Sequence, residues 1–411
     1  LDPYASFRIP NFRRFIVSLL TMTVGSQVQT LVVSWQIYNI THDPLALGLI
    51  GLAEVVPFIA VALFAGHIAD RFDRRRIALW SLAVLLACAL VLVGLSQAHG
   101  WVVAHGVWPF YVVLAIGGLA RSFLMPARNS LAVGLIPRAQ LPNSIAWRSS
   151  TWQTGAVAGP ALGGLLYGFA GVTVTYAVQA LLMLVALASF AMIKAGPGPQ
   201  SAPLEESVHD SPLSGLRFVW GERVLLGALT LDLFSVLLGG AEALLPVFAD
   251  QILHVGPEGL GLLRAAPAAG AVVMSFYMAH RPPLKRAGRT MLLAVALFAA
   301  CIIGFGMSRS FYLSAALLAV SGMADNISVL IRQTMLQVLT PPALLGRVIA
   351  VNSIFVGSSN ELGGFESGVT AKLLGAVPAV VLGGVASLAV VGIVAKTVPR
   401  LRRMREIQPA A

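Results

Sequence analysis

Charge is scarce in this chain. Asp, Glu, Lys and Arg make up 11% of its 411 residues, too few to clothe a soluble fold of that length. Cysteine is scarcer still: Cys88 and Cys301 sit alone in separate apolar runs and are poor candidates for a disulfide or a metal site. The seven histidines are scattered, with no His-Glu-x-x-His pair, no Walker loop and no glycine-rich phosphate turn, so neither an enzyme nor a nucleotide-driven pump is expected. Histidine, cysteine and paired acids outside the apolar runs are scarce, which argues against metal as cargo. No basic stripe interleaved with aromatics lies outside those runs, so the net charge of +11 does not signal nucleic acid. No cofactor is called for.

Apolar residues take up the space: 57% of the chain, with a mean hydropathy of +0.83. Twelve stretches can be laid end to end, at 14–40, 46–69, 77–97, 108–128, 143–170, 172–193, 223–249, 257–280, 290–308, 311–336, 345–372 and 375–398. Each is long enough to carry a helix across about 30 Å of hydrocarbon. Runs such as Ala78 to Leu95 and Ala379 to Ala395 do not alternate as the strands of a transmembrane barrel would. The expected fold is an all-α membrane protein with twelve transmembrane helices. Arg71, Arg74, Arg75, Arg76, Arg138, Lys194, Arg217, Arg281, Lys285, Arg286, Arg289 and the cluster from Arg400 to Arg405 fall in the gaps after even-numbered helices or in the tails. Arg309 and Lys372 are the exceptions. The positive-inside rule then puts both termini in the cytoplasm, with the basic tail as an anchor to anionic lipid. Phe7 to Arg14 leads directly into the first helix, which is read as the insertion signal in place of a cleavable one.

Between 195 and 222 the composition turns to Gly, Pro, Ser and acidic residues, the pattern of a linker. It divides the chain into a six-helix bundle at 1–194 and a second at 223–411. Related segments recur across it. Pro44-Leu45-Ala46-Leu47-Gly48-Leu49 matches Pro257-Glu258-Gly259-Leu260-Gly261-Leu262 at an offset of 213. Arg128, Pro137, Leu141, Ser149, Gly159 and Gly164 match Arg332, Pro341, Leu345, Ser353, Gly363 and Gly368 at an offset of 204. Two pseudo-symmetric bundles from a duplicated unit imply a transporter whose path lies between them.

Specific motifs sharpen that reading. Gly66-His67-Ile68-Ala69-Asp70-Arg71-Phe72-Asp73-Arg74-Arg75-Arg76 closely resembles the signature of the major facilitator superfamily between its second and third helices. In it Gly66 would allow close helix approach, and Asp70, Arg71 and Arg75 would act in gating. Asp73 stands where that signature often has Gly, which implies a less tight turn. Gly155, Gly159-Pro160 and Gly163-Gly164 resemble the antiporter motif of exporters in that superfamily, a small-residue face with a Pro kink. Phe248-Ala249-Asp250, Thr334-Met335-Leu336-Gln337, Thr340-Pro341 and Leu345-Gly346-Arg347, with Arg121-Ser122-Phe123-Leu124-Met125-Pro126-Ala127-Arg128, look like the enterobactin exporter-like branch of drug:proton antiporters. The resemblance spans essentially the whole chain. It implies the major facilitator fold, a bacterial inner-membrane location, a monomer, and proton-coupled export of a drug or siderophore.

Ionisable groups in the bilayer cost about 2.5–3.5 kcal/mol each on insertion scales, so each suggests a partner or a task. Glu54, Arg121, Asp232, Glu242, Arg264, Asp325, Glu361 and Glu366 qualify. Six acids against two bases leave carboxylates to spare, and a spare carboxylate suits a group that binds and releases protons. Asp232, with no partner evident at its depth, is the first candidate for proton coupling, with Glu361, Arg121, Asp325 and Glu366 beside it. Arg121 lies about where many superfamily antiporters carry a coupling Arg, and Glu54 is its nearest candidate partner. Glu242 and Arg264 form a plausible ion pair, structural or gating. Glu366 is a further gate or pairing group.

Substrate contact is expected from polar and aromatic residues on membrane helices. Gln29, Trp35, Gln36 and Tyr38 form a stripe on helix 1, Trp152 and Gln153 a patch on helix 5, and Asn360 belongs to an unusually polar helix 11. Ordinary interhelical hydrogen bonding, with Trp35 and Tyr38 as interface anchors, is the competing reading for the helix 1 and helix 5 groups alike. The expectation is a secondary active exporter that exchanges inward protons for an outward-moving amphipathic small molecule by alternating access, with the proton gradient as its energy source. An importer, uniporter or lipid flippase of the same fold is the alternative.

Overall fold

Where no water reaches the backbone, a helix satisfies its own N–H and C=O groups, and every element of the described residues is helical. The structure, a computed structural model, describes residues 4–194, 214–280, 286–341 and 344–404. Most of the linker and the end of the basic tail lie outside the described residues. The long helices are α1 Pro10–Thr41, α2 Pro44–Arg71, α3 Arg74–Gln97 and α4 Trp108–Gly134. The helical run Leu141–Ala191 follows, broken at Gly171, whose φ of 82° leaves the helical region at a residue without a Cβ to oppose it. Its two parts are α5, 141–170, and α6, 172–191. Then come α7 Arg223–Ile252, α8 Gly256–Ala279, α9 Ala287–Met307, α10 Phe311–Leu339, α11 Leu345–Leu374 and α12 Ala376–Thr397.

Ten helical stretches of the described residues are long and apolar enough to cross a membrane. Reading Leu141–Ala191 as two and adding the polar α11 gives twelve. Most begin or end a turn outside the apolar windows, because helical hydrogen bonding continues past the last apolar residue. Asp73 tightens one such start: it is the N-cap of α3, its carboxylate accepting from the Arg75 amide at 2.9 Å and the Arg76 amide at 3.4 Å. The turn expected to loosen where the signature has Gly is instead closed by a side chain.

The helices gather into two compact units. One comprises Leu1–His42, Leu49–Leu204 and Val255–Ala265; the other comprises Asp43–Gly48, Glu205–His254 and Ala266–Ala411. In the first, Phe12, Phe15, Leu82, Leu124, Met183 and Phe190 form a buried core. In the second, Leu225, Leu231, Met291, Met335 and Leu336 do so.

Within each unit the duplication reappears as matched helix crossings. A Cβ on Gly159 of α5 would stand 3.1 Å from the Val24 carbonyl of α1, and one on Gly363 of α11 would stand 2.8 Å from the Leu237 carbonyl of α7. These pairs keep the sequence offsets, 204 for the glycines and 213 for the carbonyls. Gly118 of α4 faces the Glu54 carbonyl of α2, and Gly322 of α10 faces the Pro267 carbonyl of α8, at the same two offsets. Gly164 against Gly261 and Gly368 against Gly48 complete the set. Small residues let backbones approach closely where hydrocarbon offers no hydrophobic drive.

Candidate functional site

In the second unit three helices bring a charged cluster together. Arg332 of α10 donates through Nη1 to Asp232 of α7 at 2.5 Å and to Asn352 of α11 at 3.3 Å. The side chains of Arg332 and Asp232 are 4% and 6% exposed, so the pair is desolvated. Asp325 lies two turns before Arg332 on the same face of α10, within electrostatic reach of Asp232, Arg332 and Glu242. Asp325 makes no hydrogen bond or ion pair to another described residue. Beside it Asn326 accepts from Ser275 of α8 at 3.1 Å.

The expectation that Asp232 lacks a partner is therefore corrected. Its partner is Arg332, which falls so near the predicted end of its span that the sequence presents it as an end residue. The balance of six acids to two bases changes with it. The spare carboxylate of this cluster is Asp325.

The first unit holds the matching positions with different charges. Arg121 of α4 forms an ion pair with Glu54 of α2, as anticipated. Gly118, one turn earlier, lets the Glu54 backbone close on α4. Two turns beyond Arg121 lies Arg128, whose guanidinium donates to the thioethers of Met22 and Met125 at 3.7 and 3.6 Å. Arg148 of α5 donates to Asn129 at 2.7 Å and lies 5.7 Å from the Phe15 ring centroid. Neither Arg128 nor Arg148 pairs with a carboxylate of the described residues. Both line a cavity of about 300 Å³ with Leu19, Ile145, Ser149 and Trp152.

The helix 1 stripe has other occupations. Gln36 accepts from the Tyr176 hydroxyl at 2.8 Å, and Gln29 accepts from Gln179 at 3.1 Å. All four residues are buried where α1 meets α6, and Trp35 and Tyr38 of α1 are buried as well. Tyr38 packs edge-on against His42. The structure thus engages the hydrogen-bonding groups of Gln29 and Gln36 within the unit, while Trp152 is 55% exposed and Gln153 beside it is half-buried.

On α11, Asn360 is exposed and Glu361 half-buried, while Glu366 accepts from Thr370 at 2.7 Å. Glu242 is exposed on the 3-10 turn Ala241–Leu244, and Arg264 is half-buried on α8. The side chains of Asp70 and Arg71 and the surroundings of Gly66 lie outside the described residues. Arg75 donates to the Ala191 carbonyl at 2.6 Å, and Arg14 donates to that of Met192 at 2.8 Å. Both satisfy the open end of α6, where cations oppose the helix dipole. Gly159 and Pro160 belong to the crossing face of α5.

Residues 1–410 match the family described as transmembrane secretion effector. The chain belongs to that family. Transmembrane secretion effectors are transporters of the major facilitator superfamily and not enzymes, so this secretion effector is a multi-pass membrane transporter. It is 25% identical to the enterobactin exporter EntS of Escherichia coli O1:K1 / APEC over 97% of its length and 94% of that protein. It is 26% identical to the enterobactin exporter EntS of Escherichia coli O6:K15:H31, again over 97% of this chain and 94% of that one. Among solved structures, a bacterial homolog of the human lysosomal transporter Spinster in an inward-facing, unoccupied conformation aligns with a TM-score of 0.72 and 14% identity, covering 98% of this chain and 99% of that one. A bacterial homologue of the iron transporter ferroportin aligns with a TM-score of 0.67 and 17% identity, covering 93% and 98%. Those two likenesses establish the fold.

Sequence reasoning on this secretion effector missed Arg332, Arg128 and Arg148 as site residues. The signal was present: Arg128 and Arg332 are repeat partners at the offset of 204. A basic residue near the end of a span reads as an interfacial anchor until a facing helix supplies its neighbours.

Proposed function

We propose that the protein exports an amphipathic small molecule from the cytoplasm across a bacterial inner membrane in exchange for protons, by alternating access. Both termini are then cytoplasmic, and the chain acts as a monomer in two bundles, 1–194 and 223–411, joined by the linker at 195–222. The observation that carries the proton-coupling reading is the buried Asp232–Arg332 pair with the half-buried Asp325 within its electrostatic reach. With one guanidinium against two carboxylates, the cluster becomes neutral on taking one proton and is anionic without it. A group that must gain and lose a proton in each cycle needs that property. Asp325 is the carrier of choice, because its proton breaks no ion pair. Asp232 tunes it through Arg332, while Glu361, Arg121 and Glu366 are secondary coupling positions. The similar EntS proteins are enterobactin exporters, which supports cargo of the siderophore class. Trp152 and Gln153 in the first unit and Asn360 in the second are the polar and aromatic groups offered to substrate. Gln29, Trp35, Gln36 and Tyr38 hold helices together.

The test is proton flux in proteoliposomes carrying an internal pH-sensitive dye. Candidate drugs and catecholate siderophores are added in turn under an imposed proton gradient. Substrate-dependent proton flux that disappears in Asp325→Asn, in a protein that still inserts and elutes as the parent does, is the expected result. Substrate movement without proton movement overturns the antiport reading and points to a uniporter or flippase.

A further inference from the structure

The two units differ most informatively at one matched position. In the second unit, Arg332 lies against Asn352 and is neutralised by Asp232. At the offset of 204, Arg332 corresponds to Arg128 and Asn352 to Arg148. At the offset of 213, which also relates the matched Leu237 and Val24 carbonyls of α7 and α1, Asp232 corresponds to Leu19. Arg128, Arg148 and Leu19 do meet, as walls of one cavity of about 300 Å³. The first unit therefore repeats the arginine, doubles the positive charge and replaces the carboxylate with an aliphatic side chain.

We propose that the Arg128–Arg148 cavity binds an organic anion with an aromatic body, and that the acidic group of this ligand takes the place that Asp232 fills in the second unit.

Two guanidinium groups within reach of each other repel, and even their partial burial is costly without a counter-charge. The partners they have are weak or neutral: two thioethers for Arg128, and one amide oxygen and one ring for Arg148. Planar guanidinium groups match the oxygens of carboxylate, sulfonate or catecholate. Around that head the cavity offers the Ser149 hydroxyl, the Trp152 ring and the apolar walls of Leu19 and Ile145. That lining favours an aromatic anion over a bare inorganic one. A phospholipid headgroup shares the anionic chemistry but brings no ring for Trp152. That the anion is cargo rests on the exporter reading; that it binds does not.

The experiment uses the full chain in phosphatidylcholine nanodiscs, with 2-naphthoate as the probe and uncharged 2-naphthamide as its control. Arginine modification by phenylglyoxal is read peptide by peptide, with the exposed Arg402 and Arg403 as internal references. Naphthoate is expected to protect Arg128 and Arg148 selectively, and naphthamide is not. Arg148→Gln should weaken naphthoate binding by about tenfold or more, the loss of one charge-assisted contact, while Arg148→Lys retains much of it. Labelling in the unmutated protein keeps the test independent of whether Arg128→Gln folds. Equal binding of acid and amide overturns the proposal, leaving an apolar pocket only. Protection by phosphatidylglycerol that naphthoate cannot displace also overturns it, leaving a lipid anchor. Naphthoate protection in a protein that moves no substrate in proteoliposomes sinks the exporter reading alone. Transport that persists without naphthoate protection sinks this inference alone.

Discussion

Asp232 and Arg332 are ion-paired at 2.5 Å in the interior of the second unit, contributed by helices α7 and α10 that lie 100 residues apart in sequence. Breaking such a pair from one side leaves a buried charge without a partner, which costs about 3–5 kcal/mol. Asp232→Asn alone should therefore depress the melting temperature of the detergent-solubilised protein far more than the double change Asp232→Leu with Arg332→Met, which removes both charges. If the double variant is the less stable of the two, the pair contributes net stabilisation rather than a matched liability. Asp325→Asn, which breaks no ion pair, should leave the melting temperature close to that of the parent.

Arg121 and Glu54 form an ion pair within the first unit, partly accessible at 21% and 26%. Their pair is worth less, between the values for surface and buried bridges. Arg121→Gln and Glu54→Gln should each lower transport, and a double-mutant cycle should show the two effects to be strongly non-additive. Additive losses would mean that the two groups act at separate steps.

Much of this architecture is legible in sequence, and the reason is the solvent. Hydrocarbon requires about twenty apolar residues per crossing, so helix number and approximate bounds follow from composition alone, down to the break that isolates α6 at Gly171. The duplication is legible because close crossings need glycine: Gly159, Gly164, Gly363 and Gly368 stand in the sequence at a fixed spacing and in the structure against backbone. The ion pairs are only half legible. Glu54 suggests itself as a partner for Arg121, whereas Arg332 does not for Asp232, because it reads as an end residue of its span and the sequence does not say which helix faces which. Gln36 and Gln29 read as ligands for a substrate until the neighbouring helix supplies Tyr176 and Gln179. Periodicity within one helix does not reveal the donor on another.

Gly164 and Gly261 test the crossings directly. A Cβ at Gly164 would stand 2.6 Å from the Pro257 carbonyl oxygen and 2.8 Å from the Gly261 α-carbon, so the helices must part to admit a side chain. Gly164→Leu should cost about 1–3 kcal/mol, as overpacking does. Gly346→Leu, where nothing stands near the added atom, should cost much less. Similar melting temperatures for the two variants would show that the α5 and α8 crossing is loosely held.

Lys372, an exception to the basic-loop pattern, donates to Asp43 at 2.6 Å. Burial raises the Asp43 pKa, but the Lys372 hydrogen bond, the Leu45 amide and the Lys372 charge outweigh it and hold the carboxyl below its ordinary value of 3.8. The folded state thus favours the ionised form, so the stabilisation is complete above the ordinary value and is lost as pH falls through the lower folded one. At 49% and 33% exposure the pair is screened by solvent, and about 0.2–1 kcal/mol is expected. Asp43→Asn should melt slightly below the parent at pH 7 and at pH 5, with the difference vanishing only below the ordinary carboxylate value.

Gln36 and Trp152 separate scaffold from substrate contact. Gln36→Ala leaves the fully buried Tyr176 hydroxyl without its acceptor, a desolvation loss of about 1–3 kcal/mol. It should lower the melting temperature while leaving the KM of whatever protein survives unchanged. Trp152→Ala removes an exposed ring from the cavity wall, so stability should hold while KM rises for aromatic substrates and stays level for aliphatic ones. Transport kinetics and melting curves on the same two preparations decide it. A KM effect confined to Gln36→Ala would return the helix 1 stripe to the substrate path and make Trp152 a lipid-facing residue.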